Sequence, residues 1–105
     1  MTPATIIMTT ACAYGLAPSA LTGRGMQRRV AEARAVAAFL AYELTGVSYA
    51  QLGAMLGRDR TRACRMVWRV DRALRDRAPL SRTVSNVERL LGDAVAGGQG
   101  ADSAP

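Results

Sequence analysis

The chain contains no histidine and no lysine, and both absences narrow the chemistry available to it. Without histidine, and with Cys12 and Cys64 far apart in the sequence, no group of residues has the spacing of a zinc site. The usual partners for proton transfer or nucleophile activation are missing as well, so no acid–base or nucleophile–base pair can be named. We therefore expect a protein that is not an enzyme and holds no metal or other cofactor.

The chain also lacks long apolar runs and has few cysteines. Two cysteines are too few for a disulfide framework and suit a reducing compartment. No basic segment precedes the apolar residues 6–8, which are too few for a signal peptide, and the run over residues 35–41 is too short to span a bilayer. We expect a cytoplasmic protein with no membrane partner.

Aromatic residues are scarce and strand-like alternation is absent, so the sequence favours an all-α fold. Half of the 105 residues are apolar and alanine dominates them, which suits closely packed helices around one modest core. We expect one domain over residues 1–94, followed by a disordered Gly/Ala-rich tail over residues 95–105. Periodicity, capping residues and glycines predict helices that start near Thr2, Gln27, Ser48, Asp59 and Ser81.

The helices predicted over residues 48–56 and 60–77 are separated by a short turn and form a candidate helix-turn-helix. Gly53 leaves room where the second helix crosses the first. Gly57, four residues later, suits a turn position with positive φ. Apolar residues on both sides of the turn are placed to fix the crossing of the two helices.

The second of these helices concentrates positive charge. Residues 58–77 include eight arginines against three aspartates, in a chain whose net charge is +6. Helical spacing predicts an arginine stripe along one side of this helix, formed by Arg62, Arg65, Arg69 and Arg72. The opposite side is an apolar face formed by Ala63, Val67, Val70 and Leu74. A charge run is usually a solvated surface, but this one is single-signed, follows a tight turn and stands opposite an apolar face. It predicts a recognition helix over about residues 60–77 that enters the major groove of double-stranded DNA.

Trp68 lies between the arginine stripe and the apolar face. We interpret it as a partly buried boundary residue, with stacking in a nucleic-acid groove as the alternative. Tyr42 and Tyr49 are expected to pack near the helix junction. Because no run of exposed aromatic residues offers a stacking platform, RNA is not favoured as the partner.

Several of these residues also match a known pattern. The segment AYELTGVS at residues 41–48, followed by Leu52-Gly53, Leu56-Gly57-Arg58-Asp59 and Thr61, resembles the C-terminal DNA-binding domain of the bacterial replication initiator DnaA. Residues 6–21 and the alanine-rich helix around Arg34 fit the same pattern, so the resemblance covers roughly residues 3–91. It implies a Trp-repressor-like fold whose helix-turn-helix enters the major groove, while a basic loop, here residues 22–29, reaches the adjacent minor groove.

The resemblance and the arginine stripe together assign DNA contacts to ten residues. Five residues at the start of the recognition helix would form the base-reading cluster: Arg58, Asp59, Arg60, Thr61 and Arg62. Four more would contact phosphates or grooves, the last two from the basic loop: Arg34, Arg69, Arg24 and Arg28. Arg65 joins them as a member of the arginine stripe.

The chain departs from the family pattern at positions that select the DNA sequence. Arg60 and Arg62 replace a histidine and a threonine, the second of the family's two glycines before the Arg-Asp pair is missing, and Met26 stands where the loop has its minor-groove arginine. Because base contacts specify the sequence whereas phosphate contacts position the protein, we expect a target other than an ordinary DnaA box.

The initiator's ATP-binding module has no counterpart, since no Gly-x-x-x-x-Gly-Lys-Ser/Thr sequence occurs. The expected function is therefore sequence-specific binding of double-stranded DNA in the nucleoid, as a regulator of transcription or of replication-origin sites, without ATPase activity. The altered base-reading positions leave open a second hypothesis. In it, the domain keeps the fold but binds an acidic protein partner, such as an initiator or a polymerase subunit.

Overall fold

The computed structural model describes residues 1–25, 27–76 and 79–103, with side chains through Asp93. Within these ranges the chain forms six α-helices and no strand: α1 (Pro3–Ala13), α2 (Pro18–Thr22), α3 (Arg28–Thr45), α4 (Tyr49–Leu56), α5 (Arg60–Arg75) and α6 (Leu80–Ser103). The predicted all-α fold with a helix-turn-helix is thereby confirmed. None of the described helices has the length and apolar character needed to cross a membrane.

Local sequence determines where most of these helices begin and end. Thr2 Oγ1 accepts a hydrogen bond from the Thr5 N–H at 3.2 Å and caps α1. At the start of α4, Ser48 and Gln51 form a reciprocal capping box, in which each side chain accepts the other residue's backbone N–H. Gly46 ends α3 in the left-handed region at φ +70°. The predicted helix starts at Thr2 and Ser48 are confirmed.

The boundary between α5 and α6 differs from the prediction. Helix α5 ends at Arg75, and residues 77 and 78, where the sequence predicted its end, lie outside the described residues. The Pro79 carbonyl oxygen accepts the Arg82 N–H at 3.2 Å, so the first turn of α6 has already begun at Leu80. The predicted cap at Ser81 is therefore wrong, because that residue lies inside the first turn.

Helix α6 completes the core with one apolar edge. Val84, Val87 and Leu91 are fully buried, whereas Leu90 is exposed. The backbone of α6 continues as helix to Ser103, past the domain boundary predicted at residue 94. The division of the chain into a domain and a disordered tail stays a prediction.

Helix α3 runs through the centre of the fold and packs against α1 and α5. Its middle is buried on nearly all sides: every residue from Ala33 to Ala41 is at most 7% exposed. The alanines among these residues allow neighbouring helices to approach closely, which is how a core with few aromatic side chains excludes water. Because α3 holds α5 from behind, the outward face of α5 is fixed relative to the rest of the domain.

Candidate nucleic-acid interface

The turn between α4 and α5 fits into a space that only glycines leave open. A Cβ added at Gly53 would lie 2.6 Å from the Arg58 carbonyl oxygen, and the Arg58 N–H donates to the Gly53 carbonyl oxygen at 2.8 Å. Gly57 has φ +66°, and a Cβ there would lie 2.9 Å from the Thr22 carbonyl oxygen. The turn therefore packs against α4 on one side and against the end of α2 on the other.

Helix α5 separates its charged and apolar residues as the spacing predicted. All four members of the arginine stripe are exposed. On the opposite face Ala63, Val67 and Val70 are at most 3% exposed, and Leu74 packs against the core. This orientation leaves the arginine stripe accessible to a ligand along about three turns of the helix.

The first turn of α5 presents three predicted base-reading residues to solvent. Arg60, Thr61 and Arg62 are all exposed. Asp59 is exposed as well, but its carboxylate accepts the Arg62 N–H at 2.7 Å and caps the helix. In the free protein Asp59 thus caps the N-terminus of the recognition helix and thereby orients the three side chains that follow it.

Arg34 does not lie where a phosphate or groove contact would need it. It is 4% exposed, and its Nε donates to the Leu21 carbonyl oxygen at 2.7 Å. Its Nη2 lies 3.1–3.3 Å from three further carbonyl oxygens, those of Ala20, Gly23 and Gly25. Because the guanidinium is buried and bound to backbone, the predicted contact is corrected: Arg34 is a positioning residue that shapes the basic loop from inside the fold.

Arg58 connects the same loop to the helix-turn-helix. Its Nη2 donates to the Gly23 carbonyl oxygen at 3.0 Å, and its Nη1 donates to the Leu56 and Gly57 carbonyl oxygens at 3.3 and 3.1 Å. The Gly23 oxygen therefore accepts from both Arg34 and Arg58. Burial lowers the pKa of Arg34 and the neighbouring charge of Arg58 lowers it further, yet an arginine remains protonated at neutral pH.

The arginines of the basic loop divide into two roles. Arg24 and Arg28 are exposed, as their predicted contact with DNA requires. Arg29 instead donates through Nε to the Tyr14 carbonyl oxygen at 3.0 Å, with a second bond from Nη2, and ties the start of α3 to the end of α1. Met26, at the position of the family's minor-groove arginine, lies outside the described residues.

Positive charge predominates on the surface that carries the exposed arginines. Among the described side chains, the ion pair present joins Arg75 and Asp71 at 3.1 Å, beside the arginine stripe. No described carboxylate lies within 4 Å of the stripe's own guanidinium groups. Such a surface attracts a polyanion and releases its counterions on binding.

Trp68 is not the boundary residue that the sequence suggested. Its side chain is 64% exposed and lies on the same side of α5 as Arg65 and Arg72. Helical spacing gives the position of Trp68 around the axis of α5, which lies between the two faces. Whether other residues cover the side chain there depends on how α3 and α4 pack against α5, which helical spacing does not predict. Tyr42 and Tyr49 are half-buried and stacked on each other at the junction of these helices, as expected.

Residues 3–70 match the model of a family described as the bacterial DnaA protein helix-turn-helix. The chain belongs to this family. The match contains α1 to α4 and the first part of α5, and all ten predicted contact residues lie within it. The domain is thus a DnaA-type, DNA-binding helix-turn-helix, a kind of domain that has no catalytic role of its own.

A curated relative supports the same assignment. The chain is similar to the chromosomal replication initiator protein DnaA 1 of Chlamydia trachomatis serovar D, with 27% identity over 97 residues. The alignment includes 90% of this chain but 21% of the initiator. The chain therefore spans about a fifth of the length of this DnaA relative.

Substituting Gly53 by alanine tests the close packing of the DnaA-type turn. Because the new Cβ would meet backbone atoms, we expect Gly53→Ala to lower the free energy of unfolding by about 1–3 kcal/mol. The control is Gly92→Ala in α6, where a Cβ meets nothing within 4 Å and helix propensity favours alanine by roughly 0.5–1 kcal/mol. Chemical denaturation measures both, and equal effects of the two substitutions would contradict the packing described.

Substituting Arg34 by methionine tests its role inside the loop. We expect Arg34→Met to lower the free energy of unfolding by about 1–3 kcal/mol, because buried carbonyl oxygens lose their donors. Hydrogen exchange should also accelerate at residues 22–25. The exposed Arg28→Met serves as the control and should leave both measurements unchanged. A stable Arg34→Met variant with an unaltered loop would show that the carbonyl contacts do not shape it.

Proposed function

We propose that this domain binds a specific double-stranded DNA sequence, with α5 in the major groove and the basic loop at the adjacent minor groove. The observation that carries the proposal is the joint exposure of Arg60, Thr61 and Arg62 at the N-terminal end of a helix whose opposite face is buried. Recognition helices reach base edges mainly from this end. An α-helix also fits the width of the major groove.

The contact residues fall into two groups by what they offer to DNA. Arg60 and Arg62 supply guanidinium forks that suit the two acceptors of guanine. Arg65, Arg69 and Arg72 continue along the helix, where they would neutralise phosphates without reading the sequence. Because Arg60 and Arg62 replace a histidine and a threonine of the family pattern, we propose a target with more guanine contacts than an ordinary DnaA box offers.

The basic loop supports a second point of contact. Arg24 in the loop and Arg28 at the start of α3 are exposed, and the Gly23 carbonyl oxygen ties the loop to the turn before α5. A loop fixed in this way loses little conformational freedom on binding, which favours affinity. We propose that these two arginines bind at the minor groove or its phosphates while α5 occupies the neighbouring major groove.

In the cell, we propose that the domain acts in the nucleoid as a regulator of transcription or of replication-origin sites. Occupation of a site is sufficient for either role, and the 105 residues contain no P-loop signature for ATP. The similarity to a chromosomal replication initiator supports the origin role. The altered base-reading positions support targets other than those of the initiator itself.

Selection of binding sites from random duplexes at a fixed salt concentration tests the proposal. We expect an enriched motif that changes with Arg60→Ala or Arg62→Ala, each costing about 1–3 kcal/mol at the base it reads. Arg69→Ala should instead weaken binding to all sequences and reduce the salt slope by about 1. Arg75→Ala is the matched control, because Arg75 lies outside the stripe and is paired with Asp71.

Two results would contradict this function. Binding without any enriched motif would leave a non-specific polyanion surface. No binding to duplex DNA, together with a stable complex with an acidic protein such as an initiator or polymerase subunit, would favour the interaction module instead.

A further inference from the structure

Trp68 exposes a large apolar surface in the middle of a charged helix face. It is 64% exposed, although tryptophan is usually among the more buried residues. Arg65 precedes it by three residues and Arg72 follows it by four, so both are its neighbours on the helix surface. Asp71, three residues after Trp68, is a neighbour as well, but its carboxylate is paired with Arg75. An exposed indole with arginines on both sides is a combination that solvation of the helix alone does not require.

The indole lies near Tyr49, which stacks on a second tyrosine from another helix. Tyr42, near the end of α3, and Tyr49, at the start of α4, stack with ring centroids 4.5 Å apart and planes 3° from parallel. The nearby Tyr42 hydroxyl and burial raise the pKa of Tyr49 to about 12, while the nearby Trp68 indole lowers it. Trp68 and this tyrosine pair are together called the aromatic ledge.

We propose that Trp68 is a DNA-contacting residue, whose indole packs against deoxyribose or a thymine methyl group at the rim of the major groove. This inference rests on the proposed function, because it needs α5 to lie in that groove. Arg65 and Arg72 would hold phosphates on either side of the indole.

The chemistry of the ledge favours DNA over a second copy of this chain. Two copies meeting at Trp68 would bring Arg65 and Arg72 of each against one another, in a protein whose net charge is already +6. Duplex DNA offers anionic phosphates and apolar sugar and methyl surfaces within a few ångströms of each other. It therefore satisfies the indole and both arginines at once.

The chain's single tryptophan makes the contact directly observable. On titration of the full chain with the duplex enriched by selection, we expect Trp68 emission to shift to shorter wavelength and to lose its accessibility to acrylamide. Trp68→Ala, followed by the anisotropy of a labelled duplex, should bind about tenfold more weakly. Its salt slope should equal that of the wild type, because the indole carries no charge.

The control is Met8→Ala, which removes a side chain of similar exposure, 58%, from α1 and should leave affinity unchanged. Duplexes with deoxyuridine in place of thymine separate the two apolar surfaces. A loss of affinity in the wild type but not in Trp68→Ala identifies the methyl group, and no loss identifies deoxyribose.

Unaltered emission and quenching in a duplex complex, with wild-type affinity for Trp68→Ala, would overturn the inference and leave the proposed function standing. A wild-type chain that does not change the duplex anisotropy would overturn both.

Discussion

The Gly23 carbonyl oxygen accepts hydrogen bonds from two arginines that are distant in sequence. Arg34 lies in α3, and Arg58 lies in the turn before α5. The relative position of the basic loop and the recognition helix depends on this shared acceptor. Arg34 also holds the carbonyl oxygens on either side of Gly23, so the loop follows the shape of one buried guanidinium. Backbone carbonyl oxygens point the negative ends of their dipoles at both guanidinium groups and so offset the repulsion between the two positive charges.

The remaining architecture serves the outward face of α5. Small residues on α3 let neighbouring helices approach, and α5 packs against α3 with Val67 and Val70 on its buried side. Glycines at the turn let α4 and α2 approach from the other side. What stays at the surface is a line of arginines with one indole among them. A polyanion with apolar surfaces between its charges is the ligand that this arrangement suits.

The sequence predicted features that depend on near neighbours. Gly53, Gly57 and Asp59 were recognisable because a tight turn and a helix cap need these residue types at these spacings. The two faces of α5 followed from periodicity in the same way. The sequence predicted an exposed contact role for Arg34 and partial burial for Trp68, whereas Arg34 is buried and Trp68 is exposed. Both outcomes depend on helices that are distant in sequence. The surrounding alanines were a signal for Arg34: a lone arginine in an apolar segment is a candidate for a buried structural role.

Backbone amide chemical shifts during titration with the selected duplex test the central claim most directly, since they report on the loop and the helix separately. The account predicts that residues 22–25 and the first turn of α5 shift together, at the same duplex concentration, while the buried centre of α3 and the apolar edge of α6 change little. Shifts confined to one of the two elements, or centred on α1 and α6, would contradict a single DNA surface organised around Gly23.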